Sequence, residues 1–167
     1  MAAARAGCDR TPVTDAFHRI ALRIAWLGLR SYAFLARPRV RGVAVLVCCD
    51  DRILLIRNSY RPGHAVPGGR AHRREDPAAA AVRELREETG IECLPEDLSS
   101  LGMHMVRHSN MEDHVHFFEL RCLEEPQIRV DRREVVWGGF LTREAARRLA
   151  LWPPLEVLLD AQTRSGE

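Results

Sequence analysis

The chain has 167 residues, 46% of them hydrophobic and 29% charged, which suits one domain with a modest extension and excludes disorder for most of its length. Twenty-five basic residues against twenty-three acidic ones leave a net charge of +2, a balance that gives no sign of a nucleic-acid binder. None of the basic residues is lysine, so a lysine nucleophile or Schiff base is excluded.

Residues 1–14 read as a small, polar tail. Asp15 can cap a helix running to about Leu35, with Pro38 just beyond. Phe17, Ile20, Ile24, Leu27 and Phe34 recur on it at helical spacing, and Arg19, Arg23 and Arg30 recur on another face. The simpler role for this basic amphipathic helix is packing, its apolar stripe against the domain or against a second copy in a homodimer. The alternative is peripheral contact of residues 15–36 with an anionic membrane surface. Gly42 to Cys49 is a near-continuous apolar run, hence a buried strand, and Asp50-Asp51 turns it into a second strand over Arg52 to Ile56. Asn58 to Arg70, with Pro62-Gly63 and Pro67-Gly68-Gly69, reads as a loop containing a short strand at His64 to Val66.

The clearest helix follows. Asp76 is a good N-cap, Pro77 falls at the first helical position, Ala78 to Glu88 are strong helix formers, and Gly90 is placed to end it. Three further strands are expected at Leu101 to Arg107, Val115 to Cys122 and Val135 to Leu141. Thr142 can cap a helix through Ala150, Pro153-Pro154 interrupts, and Leu155 to Ala161 supplies a last helical turn or two. The order predicts an α/β fold, a mixed sheet flanked by helices. Residues 1–38 form the extension and 39–167 the domain.

The five cysteines, Cys8, Cys48, Cys49, Cys93 and Cys122, are odd in number and lack a C-x-x-C pair. A disulfide framework or structural zinc site is therefore not expected, and a reducing, cytoplasmic setting is. The most apolar stretch, Ile20 to Leu35, is interrupted by Arg23 and Arg30, so no membrane-spanning segment is expected.

Glu84, Glu87 and Glu88 stand at i, i+3 and i+4, so their carboxylates project to one side of the helix. Three clustered carboxylates repel one another unless a multivalent cation lies between them. All-oxygen donors suit a hard ion such as Mg²⁺ or Mn²⁺. Gly68-Gly69 just upstream allows close approach of backbone to a ligand or metal, and Arg83 can pair with Glu75 to tie the loop to the helix. Arg57, Arg61 and Arg70 bracket the glycine loop as candidate phosphate ligands. No serine or cysteine sits in a nucleophilic constellation. His114 and His116 share one face of a strand and read as a sheet-surface pair.

Gly69, five residues, Glu75, seven residues, then Arg83-Glu84-Leu85-Arg86-Glu87-Glu88-Thr89-Gly90-Ile91 resembles the Nudix box at every fixed position over twenty-three residues. The resemblance extends over about Arg39 to Leu159. It implies a Nudix-like α/β/α sandwich around a mixed β-sheet, with the N-terminal amphipathic helix outside it. It also implies metal-dependent hydrolysis of a nucleoside diphosphate linked to another moiety. By position, Glu84, Glu87, Glu88 and the Gly68 carbonyl would be metal ligands, and Glu75 and Arg83, beside Gly69, the orienting pair. An extra acid from a later loop serves some members as ligand or general base; Glu134 is the candidate, with Asp131 and Glu112 behind it. The Pro67-Gly68-Gly69 entry is similar to that of relatives that cleave nucleoside triphosphates. The window Met105 to His108 lacks the proline common in ADP-ribose-specific relatives. A nucleotide-sugar or dinucleotide pyrophosphatase is the alternative within the fold, and a non-catalytic nucleotide-binding module the alternative outside enzymology.

Overall fold

The computed structural model describes residues 12–36, 39–108 and 111–164. Most of the expected tail, including Cys8, lies outside them. The elements are α1 (Pro12–Ala36), β1 (Arg39–Cys49), β2 (Arg52–Asn58), β3 (Gly68–Arg70), α2 (Pro77–Thr89), β4 (Ser99–His108), β5 (Met111–Cys122), β6 (Val135–Thr142), α3 (Arg143–Arg147) and α4 (Pro153–Arg164). The sheet runs β4-β5-β1-β2-β6, with β3 paired to β1 off this path. β1 is its axis. One edge pairs in parallel with β5 over its whole length, and the other pairs antiparallel with β2 at Cys48–Cys49 and with β3 at Gly42–Ala44.

The apolar run in β1 is explained by burial on both faces. Ala44, Leu46 and Cys48 pack with Ile53, Leu55 and Phe117 against Ala146 of α3 and Leu155, Leu158 and Leu159 of α4. Val43, Val45, Val47 and Cys49 pack with Leu54, Phe118 and Phe140 against Ala80, Ala81 and Leu85 of α2. The result is the expected α/β/α sandwich. Fully burying a side chain such as Leu85 contributes about 1.5–3 kcal/mol, enough to hold the polar helix α2 on the sheet by its narrow apolar face.

Four local expectations change. The loop glycines Gly68 and Gly69 form β3, because their lack of side chains lets the segment pair closely with β1, whereas His64 and Ala65 make only isolated bridges. Thr142 does cap a helix, donating its Oγ as acceptor to the Ala145 N–H, but α3 ends at Arg147. Pro153-Pro154 opens α4 instead of breaking it, since proline in a first helical turn gives up no intrahelical hydrogen bond. Asp15 lies within α1, not at its start, and pairs with Arg133 at 2.8 Å.

α1 also meets the domain with an unexpected face. Asp15, Arg19, Leu22 and Trp26 are half-buried against it, while Phe17, Ile20, Ile24 and Leu27 are 54–75% exposed. The expected packing of the apolar stripe on the domain is therefore not what the structure shows; the side chains of Phe34 and Arg30 lie outside the described ones. Among the described residues no helix is long and apolar enough to cross a membrane.

Candidate active site

The site is built on α2 and the glycine strand before it. Asp76 caps α2 by accepting the N–H groups of Ala78 and Ala79, Pro77 opens it, and Gly90 ends it in the left-handed region with its N–H on the Arg86 carbonyl. A helix fixed at both ends sets the directions of Glu84, Glu87 and Glu88.

Arg83 ties loop to helix, as the sequence predicts. Its Nε and Nη2 donate to the two Glu75 oxygens at 3.0 and 3.1 Å, and Nη2 also reaches the Arg70 carbonyl. This fork holds the Glu75 carboxyl down at about 2, through Arg83 first and the His72 N–H second. Nη1 of the same guanidinium donates to Glu84 at 2.7 Å and to Glu87 at 3.4 Å. Gly69 lies against Glu84 so closely that a Cβ there would stand 2.5 Å from the Glu84 carboxyl carbon.

Glu88 differs from its neighbours. It is buried, and accepts the Gly68 N–H at 2.7 Å and the Asn58 Nδ2 at 3.4 Å. Burial pushes its carboxyl up to about 8, partly offset by the Gly68 N–H and Arg61. Burial raises Glu84 as well, against the pull of Arg83. The Glu134 charge pushes both carboxyls in the same direction, so this residue faces the cluster from the far side. It is exposed, and its Oε1 accepts the Tyr60 hydroxyl at 3.0 Å.

The other sequence candidates divide. Arg61 joins the site: its Nε donates to Asn58 Oδ1, so Arg61, Asn58 and Glu88 form a chain, and its guanidinium lies 5.3 Å from the Trp152 ring centroid. Arg57 and Arg70 are exposed, and Arg70 serves the site through its backbone carbonyl. Asp131 is no base candidate, because one of its oxygens accepts the N–H groups of Arg133, Glu134 and Val135 and shapes the turn into β6. Glu112 is taken up by His114 at 2.7 Å, and His116 by Ser100 Oγ at 2.8 Å. Asn58 and Tyr60 were not singled out in the sequence. Asn58 is reachable only through the pairing of β2 beside β1, which no local pattern announces.

The donors fit a hard divalent cation in chemistry: three carboxylates and the free Gly68 carbonyl are all oxygen, and two of the carboxylates are desolvated in a way that an added positive charge would relieve. Among the described residues no three histidine, cysteine, aspartate or glutamate side chains already converge as a cage. The hydrogen bonds explain why. Glu84 and Glu87 lean on Arg83, while Glu88 turns to Gly68 and Asn58.

Comparison with known proteins agrees with this arrangement. The NUDIX domain family matches residues 38–162. An ADP-ribose pyrophosphatase of Methanocaldococcus jannaschii is 33% identical over 90 residues, 52% of this chain and 52% of the relative, so the match spans about half the length of that protein. A MutT protein from Methanosarcina mazei Go1 superposes with a TM-score of 0.68 at 17% identity, covering 79% of this chain and 98% of that one. A bifunctional NMN adenylyltransferase/ADP ribose pyrophosphatase from Francisella tularensis, solved with AMP and a Mn ion, superposes at 0.55 with 23% identity over 81% of this chain and 42% of its own. The chain belongs to the NUDIX family.

Proposed function

We propose that this NUDIX-family chain is a pyrophosphohydrolase that cleaves the diphosphate of a nucleoside diphosphate linked to another moiety, using Mg²⁺ or Mn²⁺. The observation that carries the reading is the three-carboxylate face of α2 set against the Gly68-Gly69 strand, with Glu88 buried and charge-starved at its centre. Glu84, Glu87, Glu88 and the Gly68 carbonyl would hold the cation, which when bound supplies neutralisation of the diphosphate and a more acidic water.

The chain's own residues do the rest. The Glu75–Arg83 fork fixes the approach of β3 to α2. Asn58 and the Gly68 N–H hold the Glu88 carboxylate in one orientation. Glu134, exposed beside the cluster and oriented by Tyr60, is placed to take a proton from the attacking water. Arg61, over Trp152 and next to Asn58, offers a guanidinium for a phosphate of the substrate.

ADP-ribose heads the candidate substrates because the curated relative carries that activity in its name. Nucleoside triphosphates follow, on the strength of the Pro67-Gly68-Gly69 entry. The test is phosphate and AMP release from ADP-ribose, nucleoside triphosphates, nucleotide sugars and dinucleotides with each cation. Glu87→Gln and Glu88→Gln should abolish turnover while both proteins stay folded. Normal hydrolysis by either folded variant would overturn the site assignment. Metal binding by folded protein, with silence across the panel, would transfer the reading to a binding module.

A further inference from the structure

The stripe on α1 is the largest apolar feature that the catalytic reading leaves unused. Phe17 is 75% exposed, Ile20 54%, Ile24 64% and Leu27 59%, and the four lie on successive turns. The opposite face already has its partner. Arg19 donates from Nε and Nη2 to the Arg132 carbonyl, Arg23 Nε donates to the Ser59 carbonyl at 3.0 Å, and Asp15 pairs with Arg133. The helix is thus held to the domain by polar contacts, with its oily side turned away. Removing such side chains from water is favourable, so a helix built this way has a surface to meet.

Charge decides which surface. Pro12–Ala36 carries Arg19, Arg23 and Arg30 against one acid, Asp15, which is already paired. The domain segment beneath adds Arg132 and Arg133, and its Asp131 is occupied by backbone N–H groups. A second copy of the helix would bring arginine flank against arginine flank, whereas helix pairs need opposite charges beside their seam. The stripe from Phe17 to Leu27 is also only about 15 Å long, short of what a stable interface of about 1,600 Å² demands. An anionic lipid surface satisfies both features at once, taking the four apolar side chains below the headgroups and the arginines among them. No described helix is long and apolar enough to cross, so α1 would lie in the plane.

We infer that α1 docks the protein on an anionic lipid surface through Phe17, Ile20, Ile24 and Leu27, a property independent of the proposed hydrolysis. The helix rests on Ser59 and Arg132, next to the two segments joined by the Tyr60–Glu134 hydrogen bond, so docking brings the carboxylate face of the domain beside the lipid.

The test is co-sedimentation of the full chain with vesicles of phosphatidylcholine, with and without a quarter of phosphatidylglycerol, together with its mass in solution by light scattering. Two double variants accompany it, Ile20→Asp with Ile24→Asp, and Ile20→Ala with Ile24→Ala, the second keeping a strong helix former at both positions. The expected result is a monomer that sediments with the anionic vesicles only and is released by salt. Partitioning should fall roughly tenfold or more in both variants, with melting unchanged because both side chains are exposed. Failure of the parent chain to bind anionic vesicles overturns the inference, as does binding that neither variant weakens. A dimer of the parent that both variants convert to monomer overturns it too, assigning the stripe to a second copy.

Discussion

Gly68 and Gly69 are adjacent, yet an added methyl should do opposite things at the two. At Gly68 the new Cβ would stand 2.7 Å from Ala44 Cα and closer still to the Val43 carbonyl oxygen. Both are backbone atoms of the central strand, which cannot retreat without disturbing pairing on both its edges. Overpacking of this kind costs about 1–3 kcal/mol, or roughly 2–12 °C in Tm for a chain of this size. At Gly69 the Cβ would meet the end of a side chain, 2.5 Å from Glu84 Cδ and 2.7 Å from Oε1, where ordinary contact begins at 3.4 Å. The Glu84 carboxylate must swing aside by about 1 Å, and a misplacement of that size at a reacting group costs about a hundredfold in rate. The fold loses little, because Arg83 keeps its two bonds to Glu75. Gly69→Ala should therefore melt within about 2 °C of the parent while kcat falls about a hundredfold and Mn²⁺ affinity drops. Circular-dichroism melts, turnover on the substrate found by the panel and Mn²⁺ titration read all three quantities. Full turnover by Gly69→Ala would refute the placement of Glu84 at the reacting end of the site. So would a loss of turnover that simply follows a loss of stability.

Three further substitutions test the frame around the site. Glu75→Gln should lower Tm at neutral pH, because the Glu75 carboxyl is held at about 2 in the folded chain against an ordinary value of 4.5. The stabilisation is fully present above about 4.5 and disappears as pH falls through about 2, so melts across that range should show the two proteins converging. Gly90→Ala forces a side chain to φ 73° and should cost about 1–2 kcal/mol by chemical denaturation. Asp76→Ala leaves two N–H groups of α2 without their cap and should cost about 1 kcal/mol, with kcat nearly intact since Asp76 touches none of the three glutamates.

What could be read in advance divides along a physical line. The cap at Asp76, the stop at Gly90, the fork between Glu75 and Arg83 and the common side of Glu84, Glu87 and Glu88 all lie within some twenty residues, and helix geometry alone relates them. The burial of β1 was legible for a similar reason, since only a strand covered on both faces tolerates an unbroken apolar run. Asn58 was not legible. It reaches Glu88 only because β2 lies alongside β1 and ends level with β3, a matter of register between distant segments. Asp131 misled for the opposite reason: an acid in a loop is as suited to gathering backbone N–H groups as to accepting a proton, and only the turn into β6 shows which it does.

α1 carries the same lesson further. Its periodicity identified an apolar stripe correctly, but periodicity states which residues share a face, not which face a domain will accept. Here the domain offers that helix two carbonyls, Ser59 and Arg132, and the carbonyl partners most readily available are arginines. Two guanidiniums donating to carbonyls, with Asp15 on Arg133, outweigh an apolar contact for which the domain surface at 131–134 has no matching patch. The polar face is thereby committed, and the stripe is left outward as a consequence. A helix that satisfies its charges inward and leaves Phe17, Ile20, Ile24 and Leu27 in water is incomplete as a folded unit, and the energy of covering those four side chains is what drives the docking inferred for it.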